Sequence, residues 1–244
     1  SGEFVTNTGT KKRRFRRVES KITAKGARAI FYRQFLEYKK EKYFIFTKMT
    51  VLSAVVAFIF AYSLQKSVSD SSMAGFILLG VVAYVALIMS GYTGKWESEL
   101  KNPYIFLIPD SPLKKMWYAT LMEHVKAFAD GCIICIPIGI FWHVPVIEII
   151  YCILIYTVLQ ADRLYTMVIV QSLLGEVFGK TGQSLLRMFI QMALLGVGAG
   201  VGVLAAVLIS QTLIFPIVLI YGLMITVAMG AIALLRFDTM EQFV

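Results

Sequence analysis

Apolar residues run through most of this chain in long stretches, interrupted by short polar segments. A spanning helix needs about 20 mostly apolar residues. Six stretches meet that length, at about 44–64, 73–91, 126–142, 146–171, 188–209 and 212–235. The first, "FIFTKMTVLSAVVAFIFAYSL", carries Lys48 near enough to one end to snorkel. Only "SQT" separates the fifth from the sixth. The pattern predicts an all-α membrane protein with six transmembrane helices, which places both termini on one side. Asp162 and Arg163 interrupt the fourth stretch after about 17 apolar positions. Charges are costly in hydrocarbon, so the expectation is that they mark the membrane interface and that the helix continues beyond it.

Two further segments have a helical period without spanning length. In residues 26–43 the apolar positions Ala27, Phe31, Phe35 and Tyr38 recur at helical spacing, with Arg28, Arg33, Lys39 and Lys40 on much of the remaining surface. That predicts an amphipathic helix lying in the membrane interface. In residues 92–125 an apolar run is bracketed by Pro103 and Pro109. Ser111 follows as an expected N-cap with Pro112 at the first helical position. Leu113, Met116, Trp117, Thr120 and Leu121 then recur at helical spacing, so a helix is expected to run into the third span.

Composition agrees with this reading. Hydrophobic residues make up 58% of the chain and mean hydropathy is +0.72, where soluble domains hold about 45–50%. Charge orients the spans. Residues 1–43 hold 13 Lys and Arg against 4 Asp and Glu, a surplus equal to the net charge of the whole chain, +9. Lys95, Lys101, Lys114 and Lys115 fall in the second-to-third connection, Lys180 and Arg187 in the fourth-to-fifth, and Lys66 alone on the opposite side. The basic side is therefore assigned to the cytoplasm. Residues 1–25 read as a basic linker near anionic lipid; no nucleic-acid-reading module accompanies it, so nucleic acid is not an expected partner.

The motifs that suggest chemistry fail on spacing or context. "GEVFGKTG" (175–182) resembles a phosphate-binding loop, but only three residues separate Gly175 from Gly179, and Leu174 stands where the pattern needs glycine. The segment between two spans is also too short to hold the α/β domain such a loop requires. It reads as a cytosolic turn. "CIIC" has redox spacing, yet Cys132 and Cys135 sit in an apolar helix. His124 and His143 are expected on opposite membrane faces, where they share no metal. No catalytic or metal site is assigned. "GVGAGVGV" contains two overlapping G-x-x-x-G units, Gly196/Gly200 and Gly198/Gly202. These allow close helix approach, whether inside the bundle, in a dimer interface, or in a moving gate.

"GARAIFYRQFLEYKK" and "NPYIFLIPDSPLKK" resemble the permeases of bacterial ABC exporters, the ABC-2-like transmembrane subunits that work with a separate ATPase. The resemblance implies a permease module in the bacterial plasma membrane that exports its substrate with ATP and Mg bound in the partner ATPase, and with no cofactor in this chain. It implies pairing with a second copy or a homologous permease half, and contact with membrane lipid. Carried onto this sequence, Arg28, Phe31, Arg33, Phe35 and Tyr38 belong to the interface helix. Asn102, Pro103, Tyr104, Pro109, Asp110, Ser111, Pro112, Lys114 and Lys115 form the element coupled to the ATPase. The resemblance gives residues 44–244 the role of transmembrane domain. Many such permeases have a sizeable outer element between spans five and six, where this chain has three residues. Two rival readings are a secondary carrier or channel, which predicts inverted repeats and broken helices, and a non-transporting scaffold or immunity protein, which needs no long structured connection.

Overall fold

The computed structural model describes residues 25–40, 44, 46, 48–65, 71–92, 95–100, 103–174 and 179–242. Most of the basic linker, Lys66, Asn102 and residues 175–178 lie outside them. The described residues form eight α-helices: α1 (Arg28–Lys40), α2 (Lys48–Leu64), α3 (Ser71–Ser90), α4 (Lys95–Leu100), α5 (Pro112–Phe141), α6 (Val146–Leu174), α7 (Gly179–Leu208) and α8 (Ile214–Gln242). Single 3-10 turns occupy Pro103–Ile105 and Gln211–Leu213. The fold class among these residues is all-α.

Five helices, α3 and α5 to α8, are long and apolar enough to cross a membrane. Helix α2 stands at the first expected span with 17 residues, a rise of about 26 Å against a hydrocarbon core of about 30 Å. Helices α5 to α8 have 29 or 30 residues each, so each is about 45 Å long and overshoots that core by about half. The α5–α6 and α7–α8 connections are tight, at 142–145 and 209–213. The overshoot therefore projects at the other end of the bundle, where α1 and α4 pack.

Two boundaries differ from the pattern-based expectation. The fifth span was expected to begin at 188 after a cytosolic turn, yet α7 begins at Gly179, whose positive φ of 60° suits a residue without Cβ. Along its first turns Gln183, Arg187 and Gln191 recur every four residues and are all buried, while Leu185, Phe189 and Met192 are exposed. This helix turns its polar stripe inward and its apolar stripe outward, so polarity along the sequence did not mark a loop. Likewise α8 continues to Gln242 rather than 235.

Helix α6 is the axis of the fold. Of its most apolar stretch 67% is buried, against 11% for α8. Two hydrophobic clusters are strung along it. The first, among α2, α3, α5, α6 and α8, contains Leu78, Val81, Ile134, Ile138, Tyr156 and Phe215. The second, at the basic end, contains Ile30, Trp96, Phe106, Met116, Leu164 and Phe237. Arg163 stands between them, donating from Nη1 to the carbonyl of Met89 at the C-terminal end of α3 (3.2 Å) and to Oε1 of Gln160 (3.0 Å). The Asp162–Arg163 pair is thus beside the C-terminal end of α3, and α6 runs on for three further turns.

Candidate functional site

The candidate site is a platform at the basic end, built where the 103–111 segment meets α1 and the start of α5. Pro103 and Pro109 interrupt helix on either side of an apolar run, and Ser111 enters α5 in extended conformation (φ −67°, ψ 143°) with Pro112 at the first helical position. The Ser111 hydroxyl makes no capping bond. Asp110 serves instead: its Oδ1 accepts the N–H of Ser111 (2.9 Å) and its Oδ2 the N–H of Ala27 (3.2 Å) at the entry to α1. One carboxylate therefore ties two helix starts together, and Lys114 Nζ lies 3.5 Å from it. The N–H of Ala27, then that of Ser111, and after them Lys114, hold the Asp110 carboxyl below the usual carboxylate range. Gly26 precedes with φ +64°, and a Cβ there would stand 2.9 Å from Asp110 Oδ2, so glycine is required on both counts.

From this joint α1 runs along α5. Its buried face is Ala27, Ile30, Gln34 and Tyr38. Gln34 Nε2 donates to the carbonyl of Ala119 (3.0 Å) and the Tyr38 hydroxyl to Oε1 of Glu123 (3.2 Å), both out of water. Arg28 Nε reaches the Tyr118 hydroxyl at the surface (3.2 Å). The apolar stripe expected from sequence was Ala27, Phe31, Phe35 and Tyr38. In the structure Phe31 and Phe35 are half-buried, stacked on each other at 6.2 Å on the flank of α1, with Phe44 against Phe35. The seam belongs to protein rather than to lipid because α5 supplies a carbonyl and a carboxylate that only polar groups can answer.

The short helix α4 was read from sequence as loop, and it holds the platform to the bundle. Arg33 of α1 pairs with both carboxylate oxygens of Glu99. Glu97, two residues earlier, meets Arg187 of α7 at 2.9 Å with both side chains at least nine-tenths buried. Trp96, just before Glu97 and fully buried, donates from Nε1 to the carbonyl of Leu164 on α6 (3.2 Å). In six residues α4 joins α1, α6 and α7. The signal was present in "KWESEL", an amphipathic turn whose carboxylates have basic partners at Arg33 and Arg187, but partners so distant in sequence cannot be paired without the fold.

Lys114 and Lys115, adjacent in sequence, have opposite situations. Lys114 is exposed. Lys115 is fully buried and donates from Nζ to the carbonyl of Phe106 (3.0 Å), fastening the 103–111 segment down; Phe106 in turn packs on Phe237 of α8 at 5.1 Å. Lys115 is thereby a fastening within the chain and offers no charge to a partner. What the platform presents outward is Tyr104 (70% exposed), Leu107 (66%) and Leu113 (58%), with Pro109, Ser111 and Lys114 among them. The arrangement has no nucleophile–base pair. The exposed tip is joined directly to the start of α5, a helix of 30 residues with Pro137 inside it.

A family model described as "Putative ABC exporter" matches residues 1–241. The chain belongs to that family. No curated protein and no solved structure matches it. Membership in an ABC exporter family implies an ATPase partner in general, and the helical bundle is that of a multi-pass membrane protein. In this exporter-family chain the four glycines of 196–202 divide into two pairs. A Cβ on Gly198 would lie 3.0 Å from Tyr221 and one on Gly202 3.3 Å from Val218, so this pair packs α7 on α8; Gly196 and Gly200 meet nothing within 4 Å. His124 lies half-buried near Trp117 and Tyr165, and His143 occupies the turn after the far end of α5 with φ 55°. The two are at opposite ends of the bundle.

Proposed function

We propose that this chain is the six-span permease module of an ABC exporter in the bacterial plasma membrane, with both termini cytoplasmic, α2 completing the set of spans, and the export step driven by ATP and Mg bound to a separate ATPase subunit. The chain pairs with a second copy or a homologous half. One observation carries the reading: an exposed apolar tip, Tyr104, Leu107 and Leu113, is fastened through Asp110, Lys115 and Gln34 to α1 and α5. Such a joint suits a lever, because rigid packed helices pass on a displacement instead of absorbing it. Closure of an ATPase dimer beneath the tip would move α1 and the near end of α5 as one piece.

The test is co-purification and ATPase stimulation. The wild-type chain should isolate with a stoichiometric ATPase and raise its ATP turnover in vesicles. The double variant Tyr104→Asp/Leu107→Asp, which alters only exposed groups, should lose that association while melting at the same temperature. A chain that purifies alone and transports without ATP would refute the proposal.

A further inference from the structure

Away from the platform, α3, α6, α7 and α8 enclose a cavity of about 400 Å³. Its wall is apolar, formed by residues such as Gly80, Ala83, Leu159, Gly198 and Val218, and Asp162 is the only charged residue that lines it. Asp162 is 1% exposed, and its Oδ1 has no hydrogen-bond partner. It forms none of the ion pairs of the described residues, and the adjacent Arg163 is engaged with Met89 and Gln160. Tyr221, also on the wall, gives its hydroxyl proton to the carbonyl of Leu194 (3.1 Å) and so has none for the carboxylate. Thr226 is the side chain within hydrogen-bond reach of the carboxylate, and a carboxylate in such a place is expensive unless it takes up a proton or something positive reaches it.

The rest of the cavity fits the remainder of such a ligand. Phe76, the one of three packed rings that lines the cavity, stacks on Phe215 at 5.5 Å, and Tyr151 stacks on that second ring at 6.2 Å. Aromatic faces accept both alkyl chains and cations. Beyond that stack the same face of α6 ends in Glu148, 14 residues before Asp162 and so nearly in line with it. The Glu148 carboxylate lies where a Cβ on Gly75 would stand 1.8 Å from its Oε2, so Gly75 makes its room.

We infer that this cavity binds hydrophobic monocations, such as amphipathic amines or quaternary ammonium compounds, with the cationic head at Asp162 and the apolar body against α3, α7 and α8. As a statement about exported cargo this rests on the permease reading; as a statement about binding it stands on the cavity alone.

The chain in lipid nanodiscs is titrated calorimetrically with decyltrimethylammonium, with uncharged decyldimethylphosphine oxide, and with decyl sulfate, using empty nanodiscs as the blank. The cation should bind saturably, and more tightly than the other two probes. Asp162→Asn should weaken the cation at least about tenfold, the scale of one charge-assisted contact, and leave the phosphine oxide unchanged. Gly80→Leu should remove binding of every probe, since a side chain there enters open space without a clash. Equal binding of the cation and the neutral probe by wild type would overturn the inference, as would unchanged cation affinity in Asp162→Asn or no saturable binding. If Asp162→Asn fails to fold, the wild-type preference and Gly80→Leu still decide. The titration uses neither ATP nor the ATPase, so a failed exporter reading would show itself separately, as absent ATP-dependent transport.

Discussion

The two hydrophobic clusters of this chain are held together in different ways. Around Leu78, Ile134 and Tyr156 the helices meet through small residues and shape: Ala57, Ala61 and Ala74 are buried there, and Gly131 and Gly139 lie against Tyr156 and Ile149. Around Trp96, Met116 and Phe237 the helices are stitched by long-range side-chain bonds: Gln34 to Ala119, Tyr38 to Glu123, Lys115 to Phe106, Trp96 to Leu164 and Glu97 to Arg187. The solvent explains the difference. In lipid there is no hydrophobic drive between apolar helices, so close packing has to suffice. Beyond the membrane edge, helix ends and a six-residue helix have polar groups whose burial must be answered by partners. The first region should therefore fail through volume and the second through lost partners.

The largest effect is expected at Arg187. Removing it in Arg187→Met breaks the buried ion pair with Glu97, and truncating one side of such a pair costs up to about 3–5 kcal/mol. Chemical or thermal unfolding in detergent reads that loss, and Glu97→Gln in the same chain should restore most of it. Next comes volume in the membrane cluster. In Gly139→Ala the new Cβ would approach Ile149 Cδ1 to 2.5 Å, so overpacking of about 1–3 kcal/mol is expected, eased by Ile149→Ala; Gly196→Ala, which meets open space, should cost nothing. A smaller effect is expected from Gln34→Ala, about 1–2 kcal/mol for the buried Ala119 carbonyl left unanswered. It should appear as faster hydrogen exchange in α1 with the spans unchanged. If Gly139→Ala proves silent while Gly196→Ala destabilises, the contrast between the two regions is wrong.

The smallest expected effect is the pH dependence of the α1 joint. The folded-state carboxyl of Asp110 titrates below its usual value because it accepts the N–H groups of Ala27 and Ser111. Its contribution is therefore complete above the ordinary carboxylate range and is lost as the pH falls through the depressed value. Limited proteolysis around Gly26 should accelerate only in acid, and Asp110→Asn should remove that dependence.

Much of the fold could be read without coordinates where composition alone decides. The long apolar runs appear as α3 and α5 to α8, and the helix from Pro112 continues into the third span as its periodicity indicates. The reading failed where polar residues turn inward. Gln183 and Arg187 fell in an expected loop and form, with Gln191, one buried stripe of α7; "KWESEL" fell in the second-to-third connection and is the clamp α4. Pro112 opens α5 as its spacing predicts, and of the two neighbouring lysines Lys114 is exposed while Lys115 is buried against the Phe106 carbonyl.

Sequence alone was enough for the all-α class and for five long apolar helices, because each depends on counts and spacings along one stretch of chain. Which of two neighbouring lysines is exposed, which pair of glycines packs, and that Asp162 lines an apolar cavity depend on residues of different elements meeting in space. Pairing of that kind is fixed by how eight helices pack together, and no local pattern carries it.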